Sequence, residues 1–211
     1  MQITSDGFIG AMTDDAKFRT KEDLERAVRA LAREFKTDTV FIIGSQAILL
    51  SWPDAPEAMR GSPEIDAYPE NAKLWEIEAR KGAGASLEAS EHIHGLFGEG
   101  SLFHSTHGFY IDGVDEGTAR LPEGWHARAM VRSFSVDGRI VKAVAPSPDD
   151  LIVSKLARLD DKDKDFVEAY HRARPLDIQL IEKRIAEAAL DPALAKRAIA
   201  YVRSLAGKRN I

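Results

Sequence analysis

Residues 37–43 read Thr-Asp-Thr-Val-Phe-Ile-Ile and stop at Gly44-Ser45, after which Gln46 opens a new apolar run. This stretch restricts the fold more than any other. Its apolar, β-branched run has too little alternation for a strand with one wet face, so it predicts a strand buried within a sheet. Gly44 breaks the strand, and residues 46–52 then predict a short helix, ended by Pro53 and Pro56. The coarse order along the chain is α-β-α-β-α, then a β-rich middle, then helices to the end. The chain is therefore expected to be α/β (α+β), a mixed sheet flanked by helices.

The other segments supply those parts. Thr20 and Asp23 are spaced as a capping box. They open a helix whose stripe is Leu24, Val28, Leu31 and Phe35. Residues 64–68, Glu-Ile-Asp-Ala-Tyr, predict a second strand with Glu64 and Asp66 on one face. A helix is expected over 70–81, a loop at 82–86, a strand at 107–114 and a turn at 121–124. Asp137-Gly138 between 128–136 and 139–145 is a strong hairpin signal. From Pro146 onward the pattern is helical, with helices over 148–159, 163–172, 177–190 and 192–205. A soft boundary follows: an α/β domain at 1–145 and a helical region packed on it at 146–211.

Composition narrows the function classes. The 211 residues contain no cysteine, which removes disulfides, thiolate metal sites and cysteine nucleophiles and fits a reducing cytoplasm. Residues 1–18 lack the pattern of a signal peptide. The longest apolar runs, 40–43 and 47–50, are too short to cross a bilayer, so no membrane partner is expected. A net charge of −5 argues against broad electrostatic binding to nucleic acid. Lys183, Arg184, Lys196, Arg197, Arg203, Lys208 and Arg209 read first as solvated helix faces, and second as an RNA or partner surface. Neither a GxGxxG nor a GxxxxGK[ST] motif is present, and neither Ser45 nor Ser62 sits in a nucleophile elbow.

The chemistry concentrates between residues 41 and 68. A strand ending in Gly-Ser and feeding a helix N-terminus suits a phosphate, though such a turn also occurs for steric reasons alone. Glu64 and Asp66, two apart on a strand, repel unless a cation lies between them, which makes them candidate ligands for Mg²⁺ or Mn²⁺; the bland alternative is a solvent-facing edge strand. Asp112 adds a third carboxylate if residues 107–114 pair beside 64–68; otherwise Asp112-Gly113 is a turn. His92, His94, His104 and His107 form two close pairs. They read as loop histidines, with a zinc site as the minor alternative and one histidine near Asp112 as another.

Together, Gly44-Ser45 and Arg60-x-Ser62-x-Glu64-Ile65-Asp66 resemble the signature of the polymerase-β-like nucleotidyltransferase superfamily. Within it the chain resembles the bacterial families allied to AbiEii-type toxin and abortive-infection proteins. Gly124-Trp125-x-x-Arg128, Pro148-Asp149-Asp150-Leu151-Ile152, Lys155-Leu156 and Lys164-Asp165 extend the resemblance over about residues 41–170. The resemblance implies that Gly44 and Ser45, with Arg60 and Ser62 of the same signature, hold the nucleotide. It implies that Glu64, Asp66 and Asp112 bind Mg²⁺ or Mn²⁺, that Lys155 contacts the triphosphate and that Asp165 supports the site. The implied reaction moves a nucleoside monophosphate from an NTP to a hydroxyl of RNA, protein or a small molecule, in a toxin–antitoxin or phage-defence setting with an antitoxin partner. Two departures stand out. Glu64 replaces the usual Asp, and Pro63 stands where relatives often carry Lys. These bear on catalytic competence, and the alternative is an impaired nucleotide- or partner-binding module. Read on its own, Lys155 lies at the border of the stripe Leu151, Ile152 and Leu156 and would snorkel. The 161–165 charge run reads as solvated, Asp165 apart.

Overall fold

The computed structural model describes residues 18–83 and 87–207. The N-terminal stretch before Phe18, most of the loop expected at 82–86, and Lys208 and Arg209 lie outside the described residues. Among those described, the strands form one mixed five-stranded sheet in the order β3-β2-β1-β5-β4. Strand β1 (Thr39–Ile42) lies at its centre, antiparallel to β2 (Glu64–Pro69) and parallel to β5 (Arg139–Ala145). Strand β3 (Tyr110–Gly113) runs parallel to β2 on one edge, and β4 (Met130–Val136) closes the other edge as a hairpin with β5. Asp137 and Gly138 both take positive φ, 49° and 79°, as a two-residue turn matched to strand twist requires.

One face of the sheet is sealed. Val40, Ile42, Ile65, Ala67, Ile111, Ala143 and Ala145 are fully buried. Helix α1 (Lys21–Phe35) buries Leu24, Val28, Leu31 and Phe35, and both hydrogen bonds of its capping box form between Thr20 and Asp23. A cap of this kind contributes about 1 kcal/mol. The alternate residues Phe41, Glu64, Asp66, Tyr110 and Asp112 point to the opposite face.

The C-terminal third is helical: α6 (Pro148–Arg158), α7 (Asp161–Ala173), α8 (Ile178–Glu187) and α9 (Pro192–Gly207). A single apolar cluster runs from Leu24 to Leu205, joining these helices to the sheet. Ser147 caps α6 by accepting the Asp150 N–H. Asp150, fully buried, accepts two hydrogen bonds from Arg128 at 3.0 and 3.1 Å and one from the Ser147 hydroxyl at 2.8 Å. The Gly-Trp-x-x-Arg segment therefore clamps the start of α6 to the residues that lead into β4. Among the described residues no helix is long and apolar enough to cross a membrane.

Two expectations need correction. The short helix after Gly44 is a 3-10 helix, Ser45–Leu50. The segment around His92 and His94, expected to be weakly structured, is helical, with α4 (Ala89–Phe97) followed by α5 (Leu102–His107), and the strand expected from residue 107 begins only at Tyr110. Ser101 caps α5 by accepting the His104 N–H, and Ile93 anchors α4 in the core. The remaining described helices are the one-turn α2 (Glu57–Arg60) and α3 (Ala72–Ala83).

Candidate functional site

The site begins where β1 ends. Gly44 has φ +67° and ψ −167°, a backbone conformation that L side chains rarely adopt. A Cβ there would fall 1.7 Å from Asp66 Oδ2 and 2.6 Å from Asp66 Cγ. Glycine is required at this position because the Asp66 carboxylate occupies the space of a side chain. The turn and the acid therefore share one pocket of about 110 Å³, lined by Ile43, Gly44, Ser45, Glu64, Asp66, Thr118, Ala119, Arg120, Ser154, Lys155 and Arg158.

The acids sit as the strand period dictates. Glu64 accepts hydrogen bonds from the Ser62 hydroxyl and, at 3.4 Å, from the Tyr110 hydroxyl. Burial and the neighbouring Glu64 push Tyr110 up to about 12. In the parallel register Asp66 lies beside Asp112 and Glu64 beside Tyr110. Burial first, then the charges of Glu64 and Asp112, raise Asp66 to about 6. Asp112 is raised by burial, a rise opposed by His94 and reinforced by Glu64. The three acids thus sense one another across the sheet face. They do not close a three-carboxylate cage: among the described residues no three Asp, Glu or His side chains are grouped to hold an ion. Glu64 and Asp66 still fit Mg²⁺ or Mn²⁺, because such ions commonly take one or two carboxylates and draw other oxygens from phosphate and water.

The opposite wall comes from α6. Lys155 is only 5% exposed, so it does not snorkel. Its Nζ donates to Ser45 Oγ at 2.8 Å and lies 3.3 Å from Asp163 Oδ1. Burial lowers the Lys155 pKa, and the Asp163 charge opposes that fall. Asp163, 1% exposed, also accepts two hydrogen bonds from Arg158, at 3.0 and 2.9 Å. Burial works to raise the Asp163 carboxyl, but the Arg158 hydrogen bonds and the Lys155 charge outweigh it and hold it low.

Within the charge run it is Asp163, and not Asp165, that pairs with Lys155. Asp163, read from sequence as solvated, is the buried partner of Lys155. Asp165 is exposed and lines a neighbouring cavity of about 220 Å³ with Ser45, Ser62, Lys162 and Phe166. Arg60 is not brought to either cavity. Its guanidinium donates to the Ala55 and Arg19 carbonyl oxygens and ties the α2 turn to the segment before α1. Gln46, fully buried, donates to the Ser62 carbonyl oxygen at 3.2 Å and fastens the 3-10 helix to the approach to β2. That helix is only six residues long, so its dipole adds little for an anion; positive charge comes from Lys155 and the arginines.

The histidines do not assemble a zinc site. His92 contacts Glu34 Oε1 at 2.7 Å and packs on Trp75 and Phe35. His104 Nδ1 accepts the Gly100 N–H, and its ring meets Tyr110 edge-on. His107 packs between Phe103 and Phe109. Of the four, His94 lies near enough to Asp112 to oppose the rise of its carboxyl, and His104 reaches the acid face through Tyr110. The residues that the sequence did not flag are Thr118, Ala119, Arg120, Ser154, Arg158 and Asp163. Only the Pro148-Asp149-Asp150 helix start, which places α6 and hence Ser154 and Arg158, carried a signal.

A mixed sheet with a glycine-bent strand end set against paired carboxylates, backed by a C-terminal helical region, is a nucleotidyltransferase-like fold. The chain belongs to the family described as nucleotidyltransferase of unknown function (DUF6036), whose family model matches residues 21–202. No curated protein and no solved structure matches the chain.

Proposed function

We propose that this protein is a metal-dependent nucleotidyltransferase that moves a nucleoside monophosphate from an NTP to a hydroxyl of an RNA, protein or small-molecule acceptor. The single observation that carries this reading is the seat of the Asp66 carboxylate in the space where Gly44 lacks a side chain. This seat brings the glycine turn and the Glu64–Asp66 pair into one pocket of about 110 Å³, which supports a site for phosphate and metal together. Glu64 and Asp66 would hold Mg²⁺ or Mn²⁺, which when bound supplies charge neutralisation for the phosphates.

In the transfer, the acceptor oxygen bonds to the α-phosphorus and the bridge to the β-phosphate breaks, releasing pyrophosphate. Ser45 from the glycine turn and Lys155 from the α6 wall orient the departing phosphates. The Asp163 charge opposes the fall that burial imposes on the Lys155 pKa. Asp112, whose grip on a proton is strengthened by burial, receives the acceptor's proton. The test is binding and transfer of labelled NTPs with Mg²⁺ by wild type and by Asp66→Ala. Equal binding and equal transfer by the two would end this reading.

A second reading rests on Glu64. Its carboxylate is already engaged by the Ser62 and Tyr110 hydroxyls. A first acid that is one methylene longer than usual and already engaged suits a module that keeps nucleotide or partner binding and has lost transfer. NTP binding without turnover on any acceptor would select it. The AbiEii-type kinship, the toxin–antitoxin or defence role and the antitoxin partner belong to this same proposal, supported by the sequence motifs. Co-purification of a small neighbouring-gene product that silences activity is the measurement for them.

A further inference from the structure

Three cations line the acid pocket: Lys155, Arg158 and Arg120. Two are already committed. Lys155 is divided between Ser45 and Asp163, and Arg158 spends Nε and Nη2 on the same Asp163. One carboxylate thus offsets one of those two positive charges. Arg120 differs, because among the described residues it makes no hydrogen bond or ion pair and it is solvent-exposed. Its position is nonetheless built. Just after β3, Asp115 accepts the Gly117 N–H at 2.7 Å and the Thr118 hydroxyl at 3.1 Å, while its own N–H donates to Thr118 Oγ1. At the other end of the segment the Glu123 N–H donates to the Glu187 carbonyl oxygen, and Arg128 donates to the Glu123 carbonyl oxygen. The chain between these anchors crosses the acid face and sets Thr118, Ala119 and Arg120 against Glu64 and Asp66.

From this we infer that Arg120 is a phosphate clamp, the uncommitted guanidinium that closes on the nucleotide's phosphates from the side facing Lys155. The assignment rests on the nucleotide reading above and adds a residue to it. An unpaired arginine beside two carboxylates would ordinarily pair with them. Leaving its whole fork open suits a ligand that brings several phosphate oxygens of its own.

The experiment is calorimetric titration of wild type, Arg120→Ala and Arg120→Lys with Mg²⁺-ATP, Mg²⁺-GTP and Mg²⁺-pyrophosphate, alongside thermal melts. Arg120→Ala is expected to bind about tenfold to a hundredfold more weakly at an unchanged melting temperature. Arg120→Lys should recover only part of the loss, since an ammonium is a point charge without the fork. Wild-type affinity in Arg120→Ala would overturn the clamp while leaving the nucleotide reading intact. A loss matched by a lower melting temperature and not relieved in Arg120→Lys would also overturn it. Failure of the wild type to bind any of the three ligands would overturn both.

Discussion

Gly44→Ala tests the geometry on which the site depends. The added methyl carbon meets Asp66 Oδ2 at 1.7 Å, Cγ at 2.6 Å and Cβ at 3.1 Å, so the Asp66 carboxylate must leave its seat by about 1.5 Å. Two separable penalties follow. Holding a non-glycine residue near φ +67° and ψ −167° costs about 1–3 kcal/mol, and overpacking costs about 1–3 kcal/mol more. The expected loss of stability is therefore roughly 2–6 kcal/mol, read from the midpoint of urea unfolding at constant slope. Only the overpacking part belongs to the carboxylate. In an Asp66→Ala background the backbone penalty persists while the contacts at 1.7 and 2.6 Å vanish. A double-mutant cycle should then report a coupling of about 1–3 kcal/mol. A single-mutant cost below about 1 kcal/mol, or the same cost in both backgrounds, would refute the shared pocket.

Asp66 is raised to about 6 from 3.8, so between those values the folded protein holds a proton that the unfolded chain has lost. Without metal, its contribution to stability is expected to fall by roughly 3 kcal/mol as pH rises through that window and to stay flat above it. The difference in urea midpoint between wild type and Asp66→Asn isolates this slope. Added Mg²⁺ at neutral pH should raise the melting temperature of wild type and leave Asp66→Asn unmoved. Lys155→Met keeps the buried stem and leaves Asp163 to Arg158, so nucleotide binding should weaken at least tenfold with little loss of stability. Asp150→Ala leaves Arg128 and the half-buried Arg184 without their shared carboxylate and is expected to cost about 3–5 kcal/mol in chemical denaturation.

The strands were legible because each has a local cause. Val40 to Ile42 is β-branched and apolar, Asp137-Gly138 favours positive φ, and Glu64 and Asp66 alternate with buried Ile65. Helices α4 and α5 were not. His92, His94, Gly95, Gly98 and Gly100 break up any apolar stripe, and α4 is held by the tertiary burial of Ala89 and Ile93. Lys155 looked like a border residue because four-residue spacing from Leu151 cannot show that a second helix covers that border. In Asp161-Lys162-Asp163-Lys164-Asp165 the three acids are equivalent by composition; packing of α7 on α6 turns Asp163 inward and Asp165 outward. Arg120 sits in a segment without periodicity, so only the path of the chain across the sheet reveals it.

Lys155 and Ser45 are 110 residues apart along the chain. A growing polypeptide therefore lays down its acids and glycine bend long before the ammonium that completes them is synthesised. Between the synthesis of Asp66 and that of Lys155 the paired acids lack the ammonium of the α6 wall, and the pocket is complete only when the C-terminal helices dock. Truncation short of α6 would leave a sheet with its carboxylates and no counterweight from that wall.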